Sequence, residues 1–221
     1  MFHENNANFF KTSDNEQIFY VKNFTEVDHS KPVLVFNYGL VCSNHHWKFQ
    51  TEYFDKLGYQ ILIHDYRGHF QSTGIHNIKK ITFPQIAQDI HDLCAFHGIK
   101  KAVMLGHSMG VNICLQLAKD FPDLVSGMIL ISGTFMPVMD VMFDTNMMEF
   151  LTPWLVSGLD KYPDVFKKVW TSRGMNPLVK EIIHSTGFNK AKVSKQFIDI
   201  YINRVGQLGP EMFFQLFSEL T

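Results

Sequence analysis

Gly106-His107-Ser108-Met109-Gly110 is the stretch that decides the fold of this 221-residue chain. A short apolar run precedes it at residues 101–105, and residues 111–118 are typical of a buried helix. A strand, a Gly-x-Ser-x-Gly pentapeptide and a helix in this order are typical of a nucleophile elbow, a strained turn that lifts a serine to the carboxyl end of its strand. The alternative for the pentapeptide alone is a glycine-bounded turn with a structural serine. The flanking strand and helix favour the elbow, so Ser108 is the candidate nucleophile.

Each position of the pentapeptide has a physical reason in this interpretation. Gly106 and Gly110 are small, which keeps the strand and the helix from colliding around the serine. Met109 follows the serine, and its backbone N–H is predicted to donate a hydrogen bond to a developing oxyanion, whatever its side chain does.

The composition bounds the class of protein. Hydrophobic residues make up 46% of the chain, charged residues make up 19%, and the formal net charge is −1. This is typical of one globular domain with a substantial core. We expect no nucleic-acid partner, because no basic block or patch is present. We expect no transmembrane segment, because every apolar run is far shorter than the ~20 residues of a membrane helix, and residues 1–11 lack the apolar stretch of a signal peptide.

The cysteines and histidines do not predict a metal site. Cys42, Cys94 and Cys114 lie in or beside apolar stretches and form no Cys-x-x-Cys pair, which is typical of reduced core residues in a cytoplasmic protein. The adjacent histidines His45 and His46 have no partner at ligand spacing, so we interpret them as loop or helix-start residues. No metal and no organic cofactor is expected.

Strands and helices alternate along the first part of the chain. Residues 8–25 alternate around a polar turn, which predicts a hairpin, and the apolar runs at 32–36, 59–63 and 128–131 predict further strands. Helical spacing covers residues 46–57, and Thr82 is the expected N-cap of a second helix that ends at Gly98. This alternation predicts an α/β fold with a mostly parallel sheet.

Three motifs in order resemble those of the α/β-hydrolase superfamily. Asn37-Tyr38-Gly39-Leu40 stands where the family has a His-Gly oxyanion motif after its third strand. Asp65-Tyr66-Arg67-Gly68-His69-Phe70-Gln71-Ser72 stands where the family has an Asp-x-Arg-Gly-x-Gly-x-Ser loop, and the elbow at Ser108 follows. The resemblance implies helices on both faces of the sheet and a helical lid. It also implies an oxyanion hole made by the backbone N–H groups of Leu40 and Met109.

The chain departs from the family pattern at two of these positions. Tyr38 replaces the usual His, which leaves the backbone donor of Leu40 in place, and Phe70 replaces the second Gly of the loop. Asp65 and Arg67 are expected to hold the loop by hydrogen bonds and not to touch substrate.

The resemblance divides the chain into three parts. Residues 1–134 are predicted to form the α/β-hydrolase core, residues 135–206 a helical lid, and residues 207–221 a helix that begins near Pro210 and leads back to the core. The start of the second part is rich in Met and Phe. Two compatible interpretations are an amphipathic helix that packs on the body and a flexible lid that lines an apolar pocket.

The second half of a catalytic triad is not found. The family order is Ser, then Asp or Glu, then His. The single histidine after Ser108 is His184, which shares a polar helix face with Lys180 and Glu181 and is expected to be a solvated lid residue. His45, His46, His69 and His107 all precede the serine. We therefore expect this chain to be the amino-terminal part of a hydrolase that lacks the last two strands of the sheet.

The resulting functional prediction is a serine hydrolase that uses Ser108 to attack an ester or related acyl substrate, with an apolar acyl chain. Three alternatives stay open. The protein could be a catalytically inactive, hydrolase-like binding protein, or the fold could host acyl transfer or cofactor-free haloperoxidation.

Overall fold

The structure is a computed structural model that describes residues 8–40, 42–72, 77–136 and 207–220, with residues 157, 161, 193, 198, 199 and 201. Its strands form one six-stranded sheet in the order β1-β2-β4-β3-β5-β6. The strands are β1 (Asn8–Lys11), β2 (Gln17–Lys22), β3 (Val33–Asn37), β4 (Ile61–His64), β5 (Ala102–His107) and β6 (Val125–Ile131). The β1–β2 hairpin pairs antiparallel with β4, and the other three neighbouring pairs are parallel. The predicted hairpin and the mostly parallel sheet are confirmed.

The helices follow the predicted positions. Among the continuously described residues they are α1 (Lys48–Lys56), α2 (Phe83–Phe96), α3 (Met109–Asp120) and α4 (Pro210–Glu219), with short 3₁₀ helices at Asn44–Trp47 and Ile78–Lys80. The Thr82 side chain accepts a hydrogen bond from the Gln85 N–H, which caps α2 as predicted. Gly98 has a φ of 71° and ends that helix in a conformation that favours glycine. The helix expected near Pro210 is confirmed.

Helices cover both faces of the sheet, as the resemblance implied. On one face, the Asn37 side chain at the end of β3 lies 3.5 Å from Cys114 Sγ of α3. On the other face, the ring of Phe36 packs against Trp47 and against Phe54 of α1, at centroid distances of 5.2 and 6.5 Å. Since successive side chains of a strand point to opposite faces, these contacts assign α3 and α1 to opposite sides.

The core is centred on β3, all five residues of which are buried. A continuous apolar run is typical of a parallel strand that is covered on both faces. Cys42, Cys94 and Cys114 are buried and lie in or near this core, as the sequence predicted. Burial raises the pKa of the Cys94 thiol to about 12, so this thiol stays protonated at neutral pH.

Strand β6 forms the edge of the described sheet and differs from the core strands. Among the described strands it pairs with β5 alone, and residues 128–131 are each between 38% and 44% exposed. The expectation that two further strands of the family sheet are missing stays a prediction.

Most of the expected lid, including His184, lies outside the described residues. No helix among the described residues is both long and apolar enough to cross a bilayer.

Candidate active site

Three loops meet at one edge of the sheet because of the strand order. β4, β3 and β5 are parallel neighbours, so their carboxyl ends lie side by side. Asp65 follows β4, Tyr38 follows β3, and Ser108 follows β5. In open α/β sheets, ligands bind outside the carboxyl ends of the strands. The sequence motifs therefore converge on the edge where chemistry is expected.

Ser108 occupies a strained backbone conformation. Its φ is 54° and its ψ is −123°, and it separates the end of β5 from the start of α3. Such a conformation costs a non-glycine residue on the order of 1–3 kcal/mol and persists only where surrounding contacts hold it. The Ser108 N–H donates to the Ile131 carbonyl at 3.0 Å, and the Ser108 carbonyl accepts from the Val111 N–H at 2.9 Å. The strand, sharp turn and helix of the predicted elbow are present.

The glycines of the pentapeptide are required by close packing. A Cβ on Gly106 would lie 2.5 Å from the Gly110 carbonyl oxygen and 2.8 Å from Cys114 Sγ. A Cβ on Gly110 would collide with the carbonyl oxygen of Asn37 at the end of β3. The helix after the serine therefore packs directly against β5, as the sequence predicted, and also against the end of β3.

Gly133 is a site residue that the sequence analysis missed. A Cβ at this position would lie 2.5 Å from Val111 Cβ and 2.7 Å from the Ser108 carbonyl oxygen. Its place two residues after β6, at the same sheet edge as the elbow, was the available signal.

The turn after β3 lies against the serine. A Cβ on Gly39 would be 2.8 Å from Ser108 Cβ, so the backbone of this turn passes as close to the serine as glycine permits. The Cys42 N–H donates to the Gly39 carbonyl at 3.0 Å and fixes the peptide unit that carries the Leu40 N–H. This arrangement brings the Leu40 segment next to Ser108.

Met109 is the first residue of α3, and its side chain is buried. The first N–H groups of a helix have no partner within it, and the helix dipole favours negative charge there. Among the described residues, neither the Met109 N–H nor the Leu40 N–H donates a backbone hydrogen bond. Within the described residues, both N–H groups can therefore donate to a ligand.

Two imidazoles stack beside the elbow, a contact that the sequence analysis missed. The rings of His46 and His107 are 5.9 Å apart and inclined by 18°, and Tyr201 packs edge-on against His46. Burial lowers the pKa of His46 to about 4 and also lowers the pKa of His107. Both rings are therefore expected to be neutral at pH 7.

The other histidines that the sequence analysis considered lie in a short helix or in the buried loop after β4. His45 and His46 lie in the 3₁₀ helix Asn44–Trp47, as the helix-start interpretation expected. His69 is buried, and its Nδ1 lies 3.1 Å from the Arg67 carbonyl. Within the described residues, no group of three or more His, Cys, Asp or Glu side chains could hold a metal ion.

Arg67 holds the loop after β4 from within the core. Its Nε and Nη2 donate to the two carboxylate oxygens of Asp89 at 2.6 Å, and its Nη1 donates to Asp14 at 3.1 Å. Although burial opposes the effect, hydrogen bonds from Arg67 and Thr12 hold the pKa of the Asp14 carboxyl below its usual range. The expected structural role of Arg67 agrees with these contacts.

Asp65 also holds the loop by hydrogen bonds, as expected. Its Oδ1 accepts from the Asn44 side chain at 2.9 Å, and its Oδ2 accepts from the Gln71 N–H at 3.2 Å. Phe70, which stands at a glycine position of the family, has a φ of 45°, a conformation that favours glycine.

Comparison with known proteins agrees with this architecture. The family model described as alpha/beta hydrolase fold matches residues 32–203 of the chain. Protein ABHD8 of Mus musculus is 37% identical over 101 residues, which are 46% of this chain and 23% of that protein. The bifunctional esterase/perhydrolase DCH of Acinetobacter calcoaceticus is 32% identical over 123 residues, which are 55% of this chain and 43% of that protein. The matched regions thus span less than half the length of these two relatives.

Among solved structures, one from a study of carboxylesterases of Nitrososphaera gargenis superposes on this chain. The TM-score is 0.68 at 17% identity, and the match covers 96% of this chain and 71% of that chain. At this identity the likeness concerns the fold alone.

Proposed function

Because the chain belongs to the α/β-hydrolase family, we propose that it is the core of a serine hydrolase that uses Ser108 to attack an ester or related acyl substrate. The single observation that carries the proposal is the strained elbow, in which Ser108 has a φ of 54° and lies against Gly39. A strained serine at the carboxyl edge of a parallel sheet is the arrangement in which this chemistry recurs.

In the proposed reaction, Ser108 Oγ forms a bond to the carbonyl carbon of the substrate and gives its proton to a histidine base. The electron pair of the C=O bond moves to oxygen, and the N–H groups of Leu40 and Met109 stabilise the resulting oxyanion. Collapse of this intermediate breaks the bond to the leaving group, which takes the proton from the histidine. Water then releases the acyl group from Ser108 by the same steps.

Of the catalytic groups, we assign Ser108 and the backbone N–H groups of Leu40 and Met109, and we assign no acid or base. No histidine is present among the described residues after Ser108, and His107 and His46 precede it in the chain.

The proposed substrate has an apolar acyl chain. The support is the sequence after Gly133, where methionines and phenylalanines are concentrated, because flexible Met-rich surfaces adapt to varied apolar partners. A cytoplasmic location is proposed on the basis of the three buried free thiols.

Labelling with a fluorophosphonate probe tests the proposal. The probe forms a covalent bond to an activated serine, so the folded wild-type chain should become labelled and Ser108→Ala should not. Ser30→Ala removes an exposed loop serine and is the matched control, which should be labelled at the wild-type rate.

Absence of Ser108-dependent labelling in a folded sample would contradict the enzyme proposal for this chain and favour a hydrolase-like binding protein. Parallel assays of ester consumption in water and with added alcohol acceptors would separate hydrolysis from acyl transfer.

A further inference from the structure

Two tyrosines form a buried pair behind the turn that carries Leu40. Tyr38 directly follows β3, and Tyr66 lies in the loop after the neighbouring strand β4. Their ring centroids are 4.3 Å apart, and their exposed fractions are 0% and 1%. The pair therefore connects two of the three loops that meet at the site.

The two residues are joined by a reciprocal pair of hydrogen bonds. The Tyr66 hydroxyl donates to the Tyr38 carbonyl oxygen at 2.9 Å. The Tyr66 N–H donates to the Tyr38 hydroxyl oxygen at 3.0 Å. Each tyrosine thus satisfies one backbone group of the other, which matters because an unpaired buried backbone group is unfavourable. Burial raises the pKa of the Tyr66 hydroxyl well above its usual value of 10, so it remains a donor at neutral pH.

These bonds act on the peptide units that lead to Leu40. The Tyr66 hydroxyl fixes the carbonyl of the peptide between Tyr38 and Gly39, and the Cys42 N–H fixes the carbonyl of the next peptide. In a trans peptide the N–H points away from the C=O. The direction of the Leu40 N–H therefore depends on both anchored carbonyls.

The turn has little space in which to move without affecting the serine. Gly39 lies so close to Ser108 that an added Cβ would be 2.8 Å from Ser108 Cβ. Misplacement of a catalytic contact by about 1 Å can lower a rate by ~10²-fold. A small rotation of the Tyr38–Gly39 peptide would move the Leu40 N–H away from a tetrahedral intermediate on Ser108.

We propose that Tyr66 is a positioning residue for the oxyanion site, whose hydroxyl holds the Tyr38 carbonyl and thereby aims the Leu40 N–H at the group bound to Ser108. The inference rests on the proposed function, because it concerns the same serine. It also gives a role to Tyr38, which stands where the family has histidine: its hydroxyl reaches across to the backbone of the β4 loop.

Tyr66→Phe in the full chain is the decisive variant, because it removes the hydroxyl and keeps the ring. We expect the maximal rate of Ser108 labelling by a fluorophosphonate to fall by ~10-fold to 10²-fold, with the concentration for half-maximal rate unchanged, because the oxyanion forms only in the reactive step. Tyr20→Phe, which removes the hydroxyl of another buried tyrosine whose ring packs on His97, should label like the wild type. A merely structural role would lower the denaturation midpoint and leave the labelling rate of folded molecules unchanged.

Amide hydrogen exchange provides a second readout that does not depend on catalysis. The Cys42 N–H is bonded to the Gly39 carbonyl, so its exchange should accelerate at least ~10-fold in Tyr66→Phe and stay unchanged in Tyr20→Phe. A labelling rate within twofold of the wild type, or unchanged exchange at Cys42, would overturn the positioning role. If the wild type is not labelled, the proposed function fails, whereas faster exchange at Cys42 would still support the contact between Tyr66 and the turn.

Discussion

Strands β3 and β6 have similarly apolar sequences and very different surroundings. β3 lies between β4 and β5, and all of its residues are buried, whereas residues 128–131 of β6 are 38–44% exposed. Both strands support the elbow. The end of β3 packs on Gly110, and the end of β6 accepts the Ser108 N–H. The candidate site is therefore supported by one buried strand and one partly exposed strand.

Substitutions of two leucines, one in each strand, should show the largest difference in stability between β3 and β6. Leu34 in β3 is 4% exposed and Leu130 in β6 is 43% exposed. Leu34→Ala should lower the free energy of unfolding by about 2–5 kcal/mol, because it leaves a cavity in the core. Leu130→Ala should change the free energy of unfolding by less than about 1 kcal/mol. Urea denaturation measures both, and equal losses would show that β6 is covered in solution.

A pair of glycines should give the next largest difference. Gly110→Ala adds a Cβ that collides with the backbone of Asn37, and it should cost about 1–3 kcal/mol or more. Gly127→Ala in β6 adds a Cβ whose nearest neighbour is Val103 Cγ2 at 3.8 Å, so it should be neutral or slightly stabilising. Thermal unfolding of the two variants tests this, and a tolerated Gly110→Ala would contradict the close packing of α3 on β3.

Acid should lower the free energy of unfolding through His64, which lies in the buried part of the sheet. His64 ends β4, and burial lowers its pKa from 6.5 to about 4. Below pH 6.5 the unfolded chain binds protons that the folded chain does not, so stability is present above that pH and is lost towards pH 4. The contribution of His64 at pH 5.5 is a loss of about 1 kcal/mol relative to pH 7.5. His64→Gln should reduce the difference in the free energy of unfolding between pH 5.5 and pH 7.5. An unchanged difference would contradict a neutral buried His64.

A charge on β6 should have the smallest effect on stability. Ile129 is 44% exposed, so Ile129→Lys should change the free energy of unfolding by no more than about 0.5 kcal/mol. It should nevertheless reduce aggregation, because lysine on an edge strand discourages pairing with another chain. Light scattering during refolding measures this, with Leu34→Ala as a destabilised comparison. Unchanged scattering would show that the chain does not aggregate through the β6 edge.

Local sequence patterns predicted most of the elements. The hairpin, the cap at Thr82 and the strand–turn–helix around Ser108 each depend on neighbours within a few residues. The contact between Tyr38 and Tyr66 spans 28 residues of sequence and exists because β3 and β4 are adjacent. The stack of His46 on His107 likewise depends on the order of the strands. The apolar residues of β6 resemble those of β3, so its exposed edge could be predicted from the expected absence of the last two strands and not from its own composition.

The hydrogen bond between the Ser108 N–H and the Ile131 carbonyl links the turn at Ser108 to the last strand of the described sheet. Edge strands fray at a lower free energy than the whole domain unfolds. When the end of β6 opens, Ser108 loses one of the contacts that maintain its strained φ of 54° and can relax. If Ser108 acts as the proposed nucleophile, a local opening that leaves the buried core intact should remove its reactive conformation, so loss of fluorophosphonate labelling on warming should precede loss of secondary structure.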